Sequence, residues 1–126
     1  MVGFSHRVQI RHVVVAKSDV AELLKTTLEE IKESTGRVKR LMSLAEKYSL
    51  CESKTDGGNL GWLEIANDEP RIRDLPSVLK NAELEQNLRD AFKTRMFGKG
   101  SVMGPYSTAQ GYHVVVIANE FGENAV

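Results

Sequence analysis

Residues 7–16, RVQIRHVVVA, and residues 112–118, YHVVVIA, decide the fold. Both are dense in β-branched side chains and free of Gly and Pro, a composition suited to strands buried on a pleated surface. One polar ring interrupts each run: His12 in the first, His113 in the second. The runs lie at opposite ends of a 126-residue chain with amphipathic segments between them. Pairing them as central neighbours of one sheet, with helices closing the core on one face, would bury both runs and predicts an α+β fold. His12 and His113 would then sit close together. Buried imidazoles must find partners for their ring nitrogens, and these two could serve each other.

Outward from the first strand, Ser18 and Asp19 are candidate caps for a helix in which Val20, Leu23, Leu24, Leu28 and Ile31 recur at three- and four-residue spacing. Thr35-Gly36 is expected to end it. A second helix follows, with Val38, Leu41, Ala45 and Tyr48 on one stripe and Arg37, Lys39, Arg40, Glu46 and Lys47 on a solvated face. Residues 49–58 lapse into Cys, Ser, Thr, Asp and Gly and read as an irregular connection, the kind of segment that often carries function. GWLEI at 61–65 reads as a short strand, and residues 67–74, which include Pro70, as a connection. Asp74-Leu75-Pro76 can open a helix, and residues 82–96 carry Leu84, Leu88, Ala91 and Phe92 on a helical stripe, predicting one bent helix or two. Residues 98–105 read as a glycine-rich link, and the tail after Asn119 as dispensable.

The chain is long enough for one domain, 1–126, with a core at about 7–119 and loose ends, and its 41% apolar content can fill one core. Lys plus Arg and Asp plus Glu both total 17, so no global charge draws it to nucleic acid or to an anionic membrane. No apolar run approaches the roughly 20 residues of a membrane span. Cys51 is the only cysteine, which excludes an internal disulfide and fits a cytoplasmic location, or an extracytoplasmic one if the chain was excised from a longer protein. No oligomerisation motif is present, and a monomer is expected. Beside an imidazole the Cys51 thiol could be activated, although a lone cysteine is more commonly a small buried apolar residue. A zinc site from His12, Cys51 and His113 would match no compact ligand spacing and would lack a fourth ligand, so no metal or cofactor is expected.

Four landmarks follow one another: Arg11-His12-Val13-Val14-Val15; Leu44-Ala45-Glu46-Lys47-Tyr48-Ser49-Leu50-Cys51-Glu52-Ser53; Gly57-Gly58-Asn59-Leu60-Gly61-Trp62; and Gly104-Pro105 with Gln110-Gly111-Tyr112-His113-Val114. In this order the chain resembles the parvulin (rotamase) family from Arg11 to about Ile117. The resemblance implies a parvulin, FKBP-like fold with an antiparallel central sheet and packed helices, and peptidyl-prolyl cis/trans isomerase activity, with proline-containing peptides or unfolded proteins as partners.

Carried over by position, His12 and His113 look like the family's paired core histidines. Cys51 looks like the cysteine, aspartate in some members, that faces the X–Pro bond, and Thr108 like a hydroxyl linked to the histidines. Ser53 lies where several members keep a hydroxyl near substrate. Leu60 resembles the leucine lining the proline pocket. Leu84 and Leu88 fall near the methionine and phenylalanine that usually complete it, and Phe92 matches a core phenylalanine of the family whose position beside an insertion leaves a substrate-binding role open. The chain departs from the pattern in two places. Gln110 stands where bacterial relatives often carry phenylalanine, and between Ile65 and Phe92 lies an insertion of roughly fifteen residues that reads as helix. The loop Lys17-Ser18-Asp19 lacks the basic cluster of phospho-directed relatives, so unphosphorylated substrates are expected. A parvulin-like peptide-binding or chaperone domain with weak catalysis is the alternative. An unrelated thiol enzyme built on Cys51 lacks any nucleophile motif.

Overall fold

The structure is a computed structural model describing residues 4–65, 71–73, 82–94 and 97–124. Its elements are β1 (Phe4–Val15), α1 (Ser18–Glu29), α2 (Ser34–Tyr48), a short 3-10 helix (Glu52–Asp56), β2 (Asn59–Ile65), β3 (Arg71–Arg73), α3 (Ala82–Thr94), β4 (Val102–Thr108) and β5 (Gly111–Asn124). The strands form one antiparallel sheet in the order β3-β2-β1-β5-β4. The two runs that open the sequence reading are therefore central neighbours, as their composition requires.

Both central strands are covered on both faces, which is why neither alternates between polar and apolar residues. On one face Val13, Val15, Val114 and Val116 pack against Ala21, Leu24 and Leu28 of α1 and Leu41, Leu44 and Ala45 of α2. On the other, Val8, Ile10, Val14, Val115 and Ile117 pack against Leu84, Leu88 and Phe92 of α3, together with Cys51, Leu60, Leu63 and Met103. This corrects the expectation of helices on a single face: a strand with two apolar sides needs a layer against each. Each large side chain buried in these clusters contributes about 1.5–3 kcal/mol of transfer free energy.

Several boundaries differ from the sequence expectation for local reasons. Lys17, not Ser18 or Asp19, is the N-cap of α1, and Asp19 sits in the first turn, where its carboxylate favours the positive end of the helix dipole. Helix α1 ends at Glu29 without help from Thr35-Gly36, which instead lie in the first turn of α2. Arg37 supplies the stop: its guanidinium donates to the carbonyls of Glu29 (3.0 Å), Ile31 (2.6 Å) and Gly100 (3.0 Å), so the last carbonyls of α1 are satisfied by a cation. Arg37 is thus partly buried and leaves the solvated face on which Lys39, Arg40, Glu46 and Lys47 remain. The stripe of α1 is rotated from the expected one, with Ala21, Leu24 and Leu28 inside and Val20 and Leu23 exposed; Tyr48 of α2 is exposed as well.

The expected link at 98–105 is strand from Val102 onward. It lies at the sheet edge, and the register with β5 shifts between Met103 and Tyr106, the place where an edge strand tolerates Pro105. Strand β5 runs past Asn119 to Asn124 and pairs there with the start of β1, from Asn119 opposite Gln9 to Asn124 opposite Phe4. Within the expected connection at 67–74, residues 71–73 form β3 against β2, so the stretch expected to be inserted contributes an edge strand to the sheet. The helix opening expected at Asp74-Leu75-Pro76, Pro70 and Met96 lie outside the described residues. No described helix is long and apolar enough to cross a membrane.

Candidate functional site

Antiparallel pairing of β1 with β5 sets His12 opposite Val115 and Val14 opposite His113, so the two histidines are diagonal neighbours on the face covered by α3. Their rings stack at a centroid distance of 5.0 Å and an interplanar angle of 20°. The two Nδ1 atoms are 2.9 Å apart. His12 Nε2 lies 3.2 Å from the Ser53 hydroxyl, and His113 Nε2 lies 2.7 Å from the Thr108 hydroxyl. A four-member chain results: Ser53, His12, His113, Thr108. Both rings are fully buried.

Proton bookkeeping limits the pair to at most one proton beyond the neutral state. A neutral imidazole has one N–H and one bare nitrogen, and the contact between the two Nδ1 atoms needs one of each. Two neutral rings satisfy all contacts with the hydrogen bonds running in either direction along the chain. Protonating one ring gives it two N–H groups and forces the other to accept, while protonating both sets N–H against N–H. Burial decides between the two states that remain. Burial holds His12 down to about 3, with His113 acting in the same sense. Burial also holds His113 down to about 4, against the opposing influence of Glu83. At neutral pH the pair is an uncharged polar block inside an apolar face. All four ring nitrogens are engaged, which leaves none to hold a metal.

The segment carrying Cys51 and Ser53 is fastened to β1 through backbone and side-chain contacts. His12 N donates to Gly58 O at 2.9 Å, Gly58 N to Ser53 O at 2.8 Å and Leu50 N to Val14 O at 2.9 Å. The buried Ser49 hydroxyl accepts from Val14 N at 3.1 Å and Cys51 N at 3.3 Å. Arg11 donates to the carbonyls of Asp56 and Gly57 at 2.7 and 3.2 Å. Asn59 accepts from Gly61 N at 3.0 Å and Gln9 Nε2 at 3.2 Å, and donates to Asp56 Oδ2 at 3.0 Å. Ser49, Arg11 and Asn59 received no role from the sequence. Asn59 had a legible signal, since an Asn between Gly58 and Leu60 is placed to bond its own backbone two residues on.

Of the residues singled out in the sequence, His12, His113, Thr108 and Ser53 form the polar chain. Cys51 lies in the apolar cluster with Leu60, Leu84, Leu88 and Phe92, and among the described residues the hydroxyls that reach the imidazoles are those of Ser53 and Thr108. Phe92 also meets Phe97 edge to face at 5.4 Å. Leu60, Leu84 and Leu88 are only 1, 2 and 0% exposed, so they form a floor beneath the surface. Partly buried Tyr106 and Phe97 pack against the same cluster, and Tyr106 stands opposite His113 across β4 and β5. Gln110 is partly buried in the turn joining those strands, where its backbone N–H donates to Thr108 Oγ1 at 3.1 Å. Sequence reasoning missed Tyr106 and also Glu83, whose carboxylate accepts from Ala109 N at 2.9 Å. Nothing local marks Glu83, because its partner is 26 residues away.

Compared with known proteins, residues 10–119 match the Rotamase family model, described as a PPIC-type PPIASE domain. The rhodanese-like/PpiC domain-containing protein 12, chloroplastic, of Arabidopsis thaliana is 33% identical over 88 residues, covering 68% of this chain and 26% of that protein. Foldase protein PrsA of Bacillus subtilis (strain 168) is 25% identical over 122 residues, covering 96% of this chain and 33% of PrsA. The chain thus spans a third or less of the length of these curated relatives. Among solved structures, NmPin, the parvulin of Nitrosopumilus maritimus, superposes with a TM-score of 0.57 at 19% identity, covering 90% of this chain and 97% of NmPin. The architecture is that of the parvulin fold.

Proposed function

The chain belongs to the rotamase family of PpiC-type peptidyl-prolyl isomerase domains, and from that premise we propose that it catalyses cis/trans isomerisation of X–Pro bonds in unphosphorylated peptides or unfolded proteins. The observation that carries the proposal is the neutral imidazole pair, closed by Ser53 and Thr108 and set beside an apolar floor of Leu60, Leu84 and Leu88.

The reaction needs no acid, base or nucleophile. Its barrier of about 18–20 kcal/mol is the loss of amide resonance on twisting the bond. A surface that grips the proline ring and disfavours the planar, charge-separated amide lowers that barrier. Uncatalysed exchange takes tens to hundreds of seconds, so about 4 kcal/mol of differential stabilisation gives roughly a thousandfold acceleration. On this proposal the ring docks over the leucine floor between Tyr106, Phe97 and Gln110. The uncharged Ser53–His12–His113–Thr108 chain provides fixed dipoles beside the rotating carbonyl. Cys51 contributes shape and polarity, with no covalent step.

Exchange spectroscopy on unphosphorylated Xaa-Pro peptides tests the proposal. Cross-peaks between cis and trans forms should strengthen on adding the protein, and exchange at the background rate would refute catalysis. Cys51→Ser and Cys51→Asp should keep substantial activity, whereas loss of nearly all of it in both would point to a nucleophilic thiol. A phosphoserine-proline peptide should exchange more slowly than its unphosphorylated twin, since Lys17-Ser18-Asp19 offers a single lysine beside an aspartate; equal or faster exchange would contradict this.

The near-complete burial of Leu60, Leu84 and Leu88 favours one further reading, a peptide-binding chaperone domain with weak catalysis. Saturable peptide binding together with background exchange would select it.

A further inference from the structure

Glu83 is the feature of the site that the isomerase proposal leaves unused. It lies in the first turn of α3, immediately before Leu84 of the apolar floor. Its carboxylate is exposed, and one oxygen accepts the N–H of Ala109 in the turn after Thr108. It therefore stands on the rim between the leucine floor and the end of the imidazole chain. Its charge acts on His113, raising the affinity of that ring for a proton against burial. The imidazoles are neutral, and among the described residues no lysine or arginine pairs with Glu83. Among the described residues, then, the rim presents a negative charge without a cationic partner, held in place by a backbone hydrogen bond.

Resting on the isomerase reading, we propose that Glu83 is a specificity-determining residue that selects X–Pro segments carrying Lys or Arg directly next to the proline and disfavours Asp, Glu or phosphate there. Adjacent Cα atoms are about 3.8 Å apart, so a residue flanking a proline seated over Leu84 passes the same rim. A lysine or arginine side chain has a long flexible stem with which to reach the carboxylate while the ring stays seated. The charge is exposed and salt screens it, so discrimination is a modest factor that weakens as ionic strength rises.

The test is exchange spectroscopy on peptides with Lys, Ala or Glu placed before and then after the proline, using the wild-type protein and Glu83→Gln. Glutamine keeps a carbonyl oxygen for the Ala109 N–H, so the turn stays fastened while the charge is removed. At low salt the wild type should process the best Lys peptide about fivefold faster in kcat/KM than its Glu counterpart. The ratio should approach one in Glu83→Gln and in about 0.5 M salt. Equal rates for Lys and Glu peptides in the wild type overturn the inference, and so does a lysine preference that survives in Glu83→Gln. If no peptide exchanges faster than background, the isomerase reading fails on its own. The charge preference is then read from peptide affinity, followed through the Ala109 amide resonance, with the same two outcomes overturning it.

Discussion

Acidification from pH 7.5 to 4.5 is expected to remove about 5 kcal/mol of folding stability, all through two rings. The folded-state values of His12 and His113, about 3 and about 4, lie below the ordinary 6.5. A histidine held down in this way contributes stability that is fully present above pH 6.5. The contribution is lost as pH falls, because the unfolded chain takes up protons that the folded rings refuse. Each ring loses about 1.4 kcal/mol per pH unit below 6.5. The loss stops for His113 near pH 4 and for His12 near pH 3. Small domains have margins of about 5–15 kcal/mol, so this single term can bring the protein to its unfolding midpoint in mild acid. Urea unfolding followed by circular dichroism across that range measures it. Nitrogen-15 shifts of the rings show whether both stay neutral while the protein is folded. A stability that is flat down to pH 4.5, or ring resonances titrating near 6.5 in the folded protein, would mean that the buried pair accepts charge despite its burial.

Gly58→Ala is expected to cost about 3 kcal/mol or more, a large share of an ordinary folding margin. Gly58 has φ of 78°, a backbone region that side chains with a Cβ rarely adopt. A Cβ there would overlap the carbonyl oxygen of His12 and lie 3.1 Å from that residue's carbonyl carbon and amide nitrogen. These are backbone atoms of a central strand and cannot swing aside. The same residue exchanges hydrogen bonds with His12 and Ser53, so any shift that relieves the clash also separates the hydroxyl from the imidazole. Gly36→Ala is the matched control. Its Cβ would meet Ile31 Cγ2 at 2.9 Å, a side-chain methyl outside the sheet and not strand backbone, and it lies in the first turn of a helix, where alanine is favoured over glycine by up to about 1 kcal/mol. The control should unfold within about 1 kcal/mol of the wild type. Thermal and urea melts of the two variants decide the matter, and equal stability would remove the close approach of Gly58 to β1 from the account.

The sequence went furthest where the information is local or repeated. β-Branched runs at 7–16 and 112–118 fixed the central strand pair because burying both in one sheet leaves few arrangements, and the ring interrupting each run had to find the other. Helical spacing found α1, α2 and α3. It did not fix their rotation: Val20 and Leu23 share the three- and four-residue spacing with Leu24 and Leu28, yet face solvent, because the sheet surface decides which stripe is covered. Thr35-Gly36 misled for a related reason. A glycine ends a helix only if no better partner meets the last carbonyls, and Arg37 reaches back to meet them.

By itself, then, the sequence determined the α+β class, the central strand pair, the three helices, the family and the paired histidines. Those follow from side-chain shape, period and ordered landmarks, all carried along the chain. Only the tertiary structure decided that helices cover both faces and that residues 71–73 and 102–105 join the sheet. It alone showed the Ser53 hydroxyl on His12 from 41 residues away and Glu83 fastened to the turn beside His113. Such contacts depend on which polar groups are left facing one another after the apolar surfaces have packed. That outcome belongs to the whole core, and no local segment encodes it.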